Sequence, residues 1–443
     1  MAISGQTSER VIKDVICSFC GCVCDDLEIF LDEQDQIIGT VYACRISYEK
    51  FINAQKHRLL KPVITKNGTK KEVSVDEAIE HAAEILTQAK RPLLYGWSCV
   101  PIEAIKVGIE IAERTGAVTD STASVCHGPS ALAVQNVGIS TCTLGEIKNR
   151  ADLIIYWGCN PIHAHPRHIS RYSLFPRGYF REKGRRQRKF IVIDVRKTTT
   201  AELADLFIQI EPGTDYEVLS ALRAYLNGLE LPESVGGIPK ESLERLIKFC
   251  KGAQFVTVFF GMGLTMSRGK HRNIDNAINF VTDLSQFTKA VIMPLRGHYN
   301  VAGYGRVASW QISFPFATDL SRKYPRYYPG ETSSVDLLCR NEADAAMIVG
   351  SDPVSHFPLP ASQHLKRIPL IALAPHWSPT VEIADVVIPT TITGVDQSGT
   401  AYRMDGVPLF LKKIVDPPEG VLSDHEILTR LLSRIKALSQ EKK

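Results

Sequence analysis

Apolar residues in this chain fall into short blocks of four to six, separated by amphipathic stretches with helical spacing. A short apolar block between turn residues is typical of a strand buried on both faces. Such blocks predict strands at residues 91–96, 153–157, 190–195, 255–260, 290–293, 345–349 and 370–373. Helix-start residues and helical spacing predict helices over residues 76–88 and 103–115, the second ending at Gly116. This alternation predicts parallel sheets covered by helices, the α/β class.

The first 60 residues follow a different pattern. Leu27, Ile29 and Leu31 alternate with polar residues, and a polar turn and a second apolar run follow. This predicts a hairpin over residues 26–42 within a small β-rich cap.

Length and charge narrow the function. A chain of 443 residues is long enough for two or three domains, and a net charge of +4 gives no reason to expect a nucleic-acid or membrane partner. The apolar run 255–266 is too short and too rich in glycine to span a bilayer, and residues 1–14 lack the apolar core of a signal peptide. We therefore expect a cytoplasmic protein without a membrane span.

The 11 cysteines are then expected to be free thiols, because the cytosol is reducing. Cys17, Cys20, Cys24 and Cys44 have the spacing of a metal centre, either a cubane iron–sulfur cluster or a tetrahedral zinc. The three-residue interval between Cys20 and Cys24 favours the [4Fe-4S] cluster, with Cys22 as a spare thiol. Arg45 is either a surface charge or a bridge from the cluster to a second redox centre.

A second candidate site is the pair Cys126-His127, which a Gly-Pro step follows directly. Gly-Pro breaks regular structure, so the pair is expected at a turn or at the start of a helix. The thiolate is a soft metal ligand, and the imidazole can carry a proton. Taken alone, the pair is more often a buried thiol beside a hydrogen-bonded histidine.

Two strand ends carry matching polar loops, each with Gly-x-(Asn/Asp)-Pro followed by a histidine. The residues of this repeat are Gly158, Asn160 and His165 in the first loop and Gly350, Asp352 and His356 in the second. The repeat suggests two related α/β halves. Since ligands bind at the carboxyl ends of parallel strands, the loops are expected to cradle two phosphate-bearing arms.

Another strand ends in Asp194-x-Arg196, and the next apolar strand ends in Pro-Gly-Thr-Asp, which contains Gly213 and Asp215. An aspartate at a strand end commonly accepts hydrogen bonds from a nucleotide's hydroxyls or ring nitrogens. These residues are therefore candidates for holding a ribose or a base.

The cysteine spacing, the Gly-x-Asn-Pro loop, the Asp-x-Arg strand end and the Pro-Gly-Thr-Asp turn together resemble the molybdopterin oxidoreductases, the family of dimethyl sulfoxide reductase and formate dehydrogenase. Within that family, the chain is more similar still to the B subunits of formylmethanofuran dehydrogenases. The segments that carry this likeness are residues 123–130, 156–161, 260–263, 267–273, 295–301 and 399–408. With the cysteine motif they extend from residue 17 to about residue 410.

The resemblance implies a formate dehydrogenase-like fold. Residues 1–60 would form the iron–sulfur domain, joined by residues 391–443. Residues 61–121 and 301–390 would form one α/β domain, and residues 122–300 an inserted Rossmann-like domain that carries Cys126. It also implies that the β-barrel that closes over the pterin in larger relatives is a separate small subunit.

The resemblance also assigns site residues. Cys126 would bind tungsten or molybdenum held by two molybdopterin guanine dinucleotides, His127 would carry a proton or stabilise charge, and Arg296 would orient formate. The [4Fe-4S] ligands would be Cys17, Cys20, Cys24 and Cys44. The cofactor-binding residues would be Arg45, Gly158, Asn160, His165, Asp194, Arg196, Gly213, Asp215, Gly261, Gly263, Gly350, Asp352 and His356.

The implied reaction is reduction of CO2 to formate in methanogenesis, or the reverse oxidation. Formate would pass to an amidohydrolase subunit that condenses it with methanofuran, and iron–sulfur subunits of the polyferredoxin type would supply electrons. Two alternatives remain: a cofactor-free scaffold of a formyltransferase/hydrolase complex and a plain formate dehydrogenase subunit. The basic run 181–189 is expected to be a solvated loop, with a subunit contact as the alternative.

Overall fold

The computed structural model describes residues 10–441. The chain forms two compact units. The first contains residues up to 124 together with 298–403 and 408 onwards, and the second contains residues 125–297 and 404–407. Among residues 10–441, no helix is both long enough and apolar enough to cross a bilayer.

The strands are β1 Arg10–Val15, β2 Leu27–Leu31, β3 Ile37–Val41, β4 Val63–Lys66, β5 Thr69–Glu72, β6 Pro92–Gly96, β7 Val118–Ser121, β8 Leu153–Trp157, β9 Lys189–Asp194, β10 Leu206–Gln209, β11 Ser234–Val235, β12 Ile238–Pro239, β13 Phe255–Phe260, β14 Lys289–Pro294, β15 Thr318–Asp319, β16 Arg326–Tyr327, β17 Ala345–Val349, β18 Leu370–Ala374, β19 Val386–Pro389, β20 Gly399–Tyr402 and β21 Pro408–Leu411. The helices are α1 Arg45–Asn53, α2 Val75–Gln88, α3 Ile102–Thr115, α4 Gly128–Val137, α5 Leu144–Arg150, α6 Pro161–Ala164, α7 Asp215–Leu226, α8 Lys240–Gly252, α9 Met262–Thr265, α10 His271–Leu284, α11 Val301–Ile312, α12 Ser334–Cys339, α13 Leu359–Leu365, α14 Pro379–Glu382 and α15 Asp424–Glu441.

The second unit is built on a five-stranded sheet in the order β10-β9-β8-β13-β14, with every neighbouring pair parallel. All five residues of β8 and all six of β13 are buried, which explains their uninterrupted apolar sequences. The chain leaves β8 towards one edge of the sheet and later returns at β13 to build the other. The loops after β8 and β13 therefore flank the topological switch point, where α/β sheets bind ligands.

The first unit contains a nine-stranded sheet in the order β16-β15-β7-β6-β17-β18-β19-β4-β5. Its five central strands, β7 to β19 in that order, are parallel. The two strands at each edge pair antiparallel. The switch point of this sheet lies between β6 and β17. The predicted α/β class with parallel sheets is thus confirmed, whereas the antiparallel edges were not predicted.

The predicted N-terminal hairpin is also confirmed, since β2 and β3 pair antiparallel. A further strand, β1, pairs with β2. Sequence analysis missed β1 because most of its side chains are exposed and give no buried alternation.

The predicted helix ends agree closely with the structure. At the start of α2, Ser74 Oγ accepts a hydrogen bond from the Glu77 backbone N–H at 3.1 Å. At the end of α3, Gly116 has a φ of 64°, the left-handed conformation that glycine adopts easily.

The basic run is not a simple solvated loop. The guanidinium of Arg188 is buried and donates to the backbone carbonyls of Ala151 and Leu174, each at 3.1 Å, of Lys148 at 2.6 Å, and of Pro176. This one side chain therefore fastens the segment before β9 to the last turn of α5, to the link between α5 and β8, and to residues 174–176 after β8. A buried charge is tolerated there because its donors are satisfied.

We predict that Arg188→Ala lowers the free energy of unfolding by roughly 3–5 kcal/mol, because a buried, multiply hydrogen-bonded charge and its packing are lost. Thermal or denaturant unfolding measures the effect. The matched control is Arg186→Ala, an exposed neighbour, which should change stability by no more than about 0.5 kcal/mol. Equal stability of the two variants would show that the hydrogen bonds of Arg188 are unimportant.

Candidate functional site

At the switch point of the second unit, two glycine-containing loops approach too closely for side chains. A Cβ on Gly158 would lie 2.9 Å from the Leu264 nitrogen and 3.0 Å from the Gly263 Cα, and Gly158 has a φ of +58°. A Cβ on Gly261 would lie 2.6 Å from the Cβ of Cys159. The glycines after β8 and β13 are therefore required by this close approach, which leaves bare backbone beside the crevice.

The first unit has the same construction between β6 and β17. A Cβ on Gly96, whose φ is +123°, would lie 2.1 Å from the carbonyl oxygen of Val349. Across the same switch point, Gly350 has a φ of +57° and packs against Val100.

The repeat predicted from sequence is confirmed in atomic detail. Asn160 Oδ1 accepts from the Thr200 hydroxyl at 2.5 Å, and Asp352 Oδ1 accepts from the Thr380 hydroxyl at the same distance. The N–H of Gly158 donates to a carbonyl at the end of β9 at 2.9 Å, and that of Gly350 to one at the end of β18 at 3.0 Å. Each threonine follows the strand that neighbours its glycine loop.

Cys126 lies in the second unit between a 3-10 turn, Thr122–Val125, and the start of α4. Burial raises the pKa of its thiol, while the charge of Arg296 and a hydrogen bond from the Gly297 backbone N–H act in the opposite direction. The sulfur is thus half-buried beside a cation and a backbone donor. These two groups offset part of the effect of burial, which still leaves the pKa raised, and a bound metal would itself favour the thiolate.

His127 is held in its neutral form. Its Nε2–H donates to the carbonyl of Leu295 at 3.1 Å, and its Nδ1 accepts from the Ser130 hydroxyl at 3.0 Å. Burial, and then the neighbouring charge of Arg296, lower the pKa of His127 to about 3. With both ring nitrogens engaged, His127 positions the turn that bears Arg296.

His165 contacts the next carbonyl of that turn, because its Nε2–H donates to the Arg296 oxygen at 2.7 Å. Its Nδ1 is buried and has no hydrogen-bond partner within residues 10–441. This buried acceptor is available to a donor from outside the chain, such as water or a ligand. The imidazoles of His127 and His165 therefore donate to the consecutive carbonyls of Leu295 and Arg296. The Nδ1 of His165 is left as an unpartnered acceptor.

The predicted nucleotide-binding residues of the second unit differ in their contacts. Asp215 is buried and accepts from the indole N–H of Trp157 at 2.9 Å. Asp194, at the end of β9, is half-buried, and its carboxylate accepts hydrogen bonds only from neighbouring backbone, including one at 3.3 Å from the Arg196 N–H and one from Val195. Asp194 keeps acceptor capacity for a ligand, whereas Asp215 is largely used internally. Gly213, with a φ of +82°, forms the turn before α7.

In the first unit, a cavity of about 800 Å³ lies at the carboxyl ends of the strands. It contains the predicted residues Gly350, Asp352 and His356. Sequence analysis missed other residues that line it, namely Lys50, Cys99, His298, Trp377 and Asp424.

Lys50 is the most informative of the missed residues. Its charge contributes to lowering the pKa of Cys20, whose main cause is a hydrogen bond with Cys22, and its side chain lines the cavity of the first unit. It therefore lies close both to the cysteine motif and to the cavity. Arg45, the cation chosen from sequence, is exposed at the start of α1. Sequence analysis missed Lys50 because a single lysine on an amphipathic helix belongs to no motif.

Asp120 is a further residue that sequence analysis missed. Its buried carboxylate accepts from the hydroxyl and backbone N–H of Ser334, at 2.6 and 2.8 Å, and from the Ser124 hydroxyl at 2.5 Å. Burial raises its pKa, and these hydrogen bonds oppose the rise. Asp120 thereby anchors the turn that leads to Cys126. No motif marked it.

The N-terminal cysteines form a group. The backbone N–H of Cys17 donates to the carbonyl of Cys24 at 2.8 Å, and Ser47 contacts both Cys17 Sγ, at 3.3 Å, and Cys44 Sγ, at 3.4 Å. Within residues 10–441, no three histidine, cysteine, aspartate or glutamate side chains are arranged so as to hold a metal ion. That arrangement would hold a single ion. A cubane cluster requires a different one, because each of its irons takes its own thiolate.

Comparisons with known proteins agree with these features. The molybdopterin oxidoreductase family matches residues 58–434. The chain is 53% identical over 433 residues to the B subunit of tungsten-containing formylmethanofuran dehydrogenase 2 of Methanocaldococcus jannaschii, covering 97% of this chain and 99% of that protein.

Two solved structures share the fold. One is the formyltransferase/hydrolase complex of Methylorubrum extorquens with methylofuran, with a TM-score of 0.70 and 20% identity, covering 85% of this chain and 99% of the matched chain. The other is acetylene hydratase from Pelobacter acetylenicus, with a TM-score of 0.73 and 13% identity, covering 96% of this chain and 69% of that one.

Gly158→Ala should destabilise the protein by roughly 2–4 kcal/mol, because a left-handed residue gains a side chain that meets backbone. It should also reduce the retained pterin. Gly252→Ala, in open space at the end of α8, is the matched control and should preserve both properties. Thermal unfolding and pterin content are the measurements, and an unaffected Gly158→Ala protein would contradict the close-approach argument.

Proposed function

Because the chain belongs to the molybdopterin oxidoreductase family, we propose that it is the redox subunit of a formylmethanofuran dehydrogenase. In this role it reduces CO2 to formate with two electrons and one proton, or catalyses the reverse oxidation. The observation that carries the proposal is Cys126 beside Arg296, in a chain 53% identical to the B subunit of a tungsten-containing formylmethanofuran dehydrogenase.

The residues fit the implied cofactor, a tungsten or molybdenum bis(molybdopterin guanine dinucleotide). Cys126 is the proposed metal ligand, and the glycine loops at the two switch points would each cradle one pterin dinucleotide. The fit is supported by the unpartnered Nδ1 of His165 and by the acceptor capacity of Asp194. When bound, the group supplies a metal that exchanges two electrons with the substrate.

The chain's own contribution begins with Arg296. Its half-buried guanidinium would orient the two oxygens of formate or polarise CO2, since its planar fork matches a carboxylate. His127 and His165 fix the backbone of the Arg296 turn through the carbonyls of Leu295 and Arg296. His127 thus acts by positioning. Both of its nitrogens are already engaged, so the proton-carrier role inferred from sequence would require one bond to break.

Cys17, Cys20, Cys24 and Cys44 are proposed to hold a [4Fe-4S] cluster, with zinc as the alternative metal. Cys22 is buried among them and remains a possible substitute ligand. Lys50 joins Arg45 as a candidate cation between this group and the cavity of the first unit. Both side chains are exposed, but Lys50 lines this cavity and Arg45 does not, which favours Lys50 for this role.

The proposed partners are a small β-barrel subunit, an amidohydrolase that condenses formate with methanofuran, and iron–sulfur subunits of the polyferredoxin type. The 53% identical relative is named as one lettered subunit of its enzyme, which supports an assembly of several chains. A cytoplasmic location remains a prediction. The structural likeness to a formyltransferase/hydrolase complex leaves a cofactor-free scaffold as the second candidate, and a plain formate dehydrogenase subunit is the third.

Metal and pterin analysis of the anaerobically purified complex separates these candidates. We expect tungsten or molybdenum with two pterins per copy of this chain, and four irons for the N-terminal cysteines, a stoichiometry typical of a cubane cluster. Zinc in place of iron would favour the tetrahedral site. Absence of pterin and of both heavier metals would favour the scaffold.

Substitutions separate the roles of the two residues beside the metal site. Cys126→Ala should abolish viologen-coupled formate oxidation while the iron–sulfur signal persists. Arg296→Lys keeps the charge but loses the two-pronged geometry. It should therefore lower kcat/KM for formate by the equivalent of roughly 1.5–3 kcal/mol.

Hydrolysis of formylmethanofuran by the same preparations is the control, because it is expected to belong to the amidohydrolase partner. It should continue in both variants. Near-normal formate oxidation by the Cys126→Ala complex would place the metal elsewhere and overturn the central assignment.

A further inference from the structure

A distinctive surface lies in the second unit at the start of β8 and β9, the end opposite to the glycine loops. It is formed by residues 175–189, and we refer to it as the 175–189 surface. Three large aromatic side chains are exposed within six residues: Tyr179 by 79%, Phe180 by 49% and Phe175 by 44%. Clustered exposed aromatics are uncommon on surfaces that face only water.

The backbone that carries these rings is firmly held. The N–H of Tyr179 donates to Asn149 Oδ1 at 2.8 Å, and that of Phe180 donates to the Asn149 carbonyl at 3.2 Å. Gly178 and Arg181 exchange backbone hydrogen bonds at 3.2 and 3.0 Å. Arg188 fastens the same segment from beneath through the carbonyls of residues 174 and 176. Rings on a fixed backbone lose little conformational entropy when a partner covers them.

The rings also support one another. Tyr179 and Phe180 meet edge to face with centroids 4.9 Å apart, and the Arg150 guanidinium lies 4.7 Å from the centroid of Phe180. Arginine and aromatic residues are the types most enriched at the centres of protein interfaces.

Charge indicates the chemistry of the partner. Residues 167–189 contain nine arginines and lysines and a single acid, Glu182, although the whole chain has a net charge of only +4. The remainder of the chain is therefore net negative. Arg177, Lys183 and Arg186 are exposed, and none makes an ion pair in the part of the chain that the structure describes.

A cavity of about 1130 Å³ continues the 175–189 surface towards α8. Arg186 and Lys189 line it from the surface, and Arg245 and Lys248 line it from the helix. The acidic residues in its lining are Asp152, Glu241 and Glu244. Asp152 already accepts from the backbone of residues 254 and 255, at 2.8–3.1 Å, so the cavity offers cations in excess.

We propose that the 175–189 surface docks an acidic face of a different protein subunit. The aromatic rings supply apolar contact, and the unpaired cations select a partner with carboxylates and speed its association. The five residues of β8 span roughly 17 Å, so this face is well separated from the glycine loops at the other end of the strand. The inference rests on the proposed function only in assuming an assembly of several subunits.

The test begins with carbodiimide cross-linking of the wild-type complex. The reagent joins a lysine amine to a carboxylate as an amide and is itself converted to a urea, so only residues in ion-pair contact become linked. We expect Lys183 or Lys189 to be linked to an aspartate or glutamate of another subunit. Links only to a second copy of this chain would overturn the proposal. So would acylation of both lysines in the complex at the rate of the exposed Lys366.

The companion experiment reverses charge. Lys183→Glu/Arg186→Glu should speed loss of the cross-linked subunit about tenfold at about 0.15 M salt, while metal and pterin per chain stay unchanged. The matched control is Lys366→Glu/Arg367→Glu, an exposed adjacent pair in the first unit with the same change in charge. Full retention of that subunit by the first variant, or equal loss in the control, would contradict the proposal.

Tyr179→Ser/Phe180→Ser removes the rings without changing charge and should also release the subunit. Binding of wild-type and variant complexes to anionic vesicles or RNA, with no protein cross-link, would identify a different partner and overturn the inference. Absence of pterin from the wild-type complex would refute the proposed function but would not alter the cross-links. The two conclusions therefore fail separately.

Discussion

Contact between bare backbones is the constraint on which both halves of this molecule depend. At Gly96 a Cβ would lie 2.1 Å from a carbonyl oxygen, and at Gly158 a milder clash, 2.9 Å from the backbone nitrogen of Leu264, adds to a left-handed φ of +58°. No other residue fits without moving a strand end. The strands, the threonine-anchored Asn160 and Asp352 loops, and the short helices that follow are therefore fixed relative to one another within each unit. Rigid elements of this kind are what a large cofactor requires, since its affinity depends on surfaces formed before it binds.

In the turn around Arg296, a neutral histidine, His127, holds the backbone that carries a charged arginine. A protonated imidazole at His127 would be a buried cation beside another cation, and burial and the Arg296 charge both disfavour that form. The neutral ring instead donates one proton to the Leu295 carbonyl, and His165 does the same for the next residue. The only charge of this turn then belongs to Arg296. That charge opposes the rise that burial causes in the pKa of the neighbouring Cys126 thiol.

The sequence predicted the parts of the structure that repeat or alternate. The buried strands were visible as apolar blocks, and the paired loops at Gly158 and Gly350 were visible as a motif. Residues whose importance depends on distant neighbours were not predictable. Asp120 is a single acid in a short strand, yet the Ser334 that binds it lies more than 200 positions away. Lys50 resembles any other lysine on an amphipathic helix. Arg188 could not be singled out within the basic run, because residue type alone does not show which of several adjacent cations is buried.

The insertion of one unit within the other has a consequence for synthesis. β6 forms its pairing with β17 only when residues 345–349 are available. Between the two strands the ribosome adds roughly 250 residues, which at about 5–20 residues per second takes on the order of 12–50 s. The second unit is almost continuous in sequence, so it can complete its sheet during that interval. During that interval the apolar edge of β6 that will pair with β17 is unpaired. Non-local strand pairing of this kind forms slowly and leaves the chain prone to aggregation. The vulnerable part of the nascent chain is thus β6, in its first third, and it remains so until after the residues of the Arg296 turn have been made.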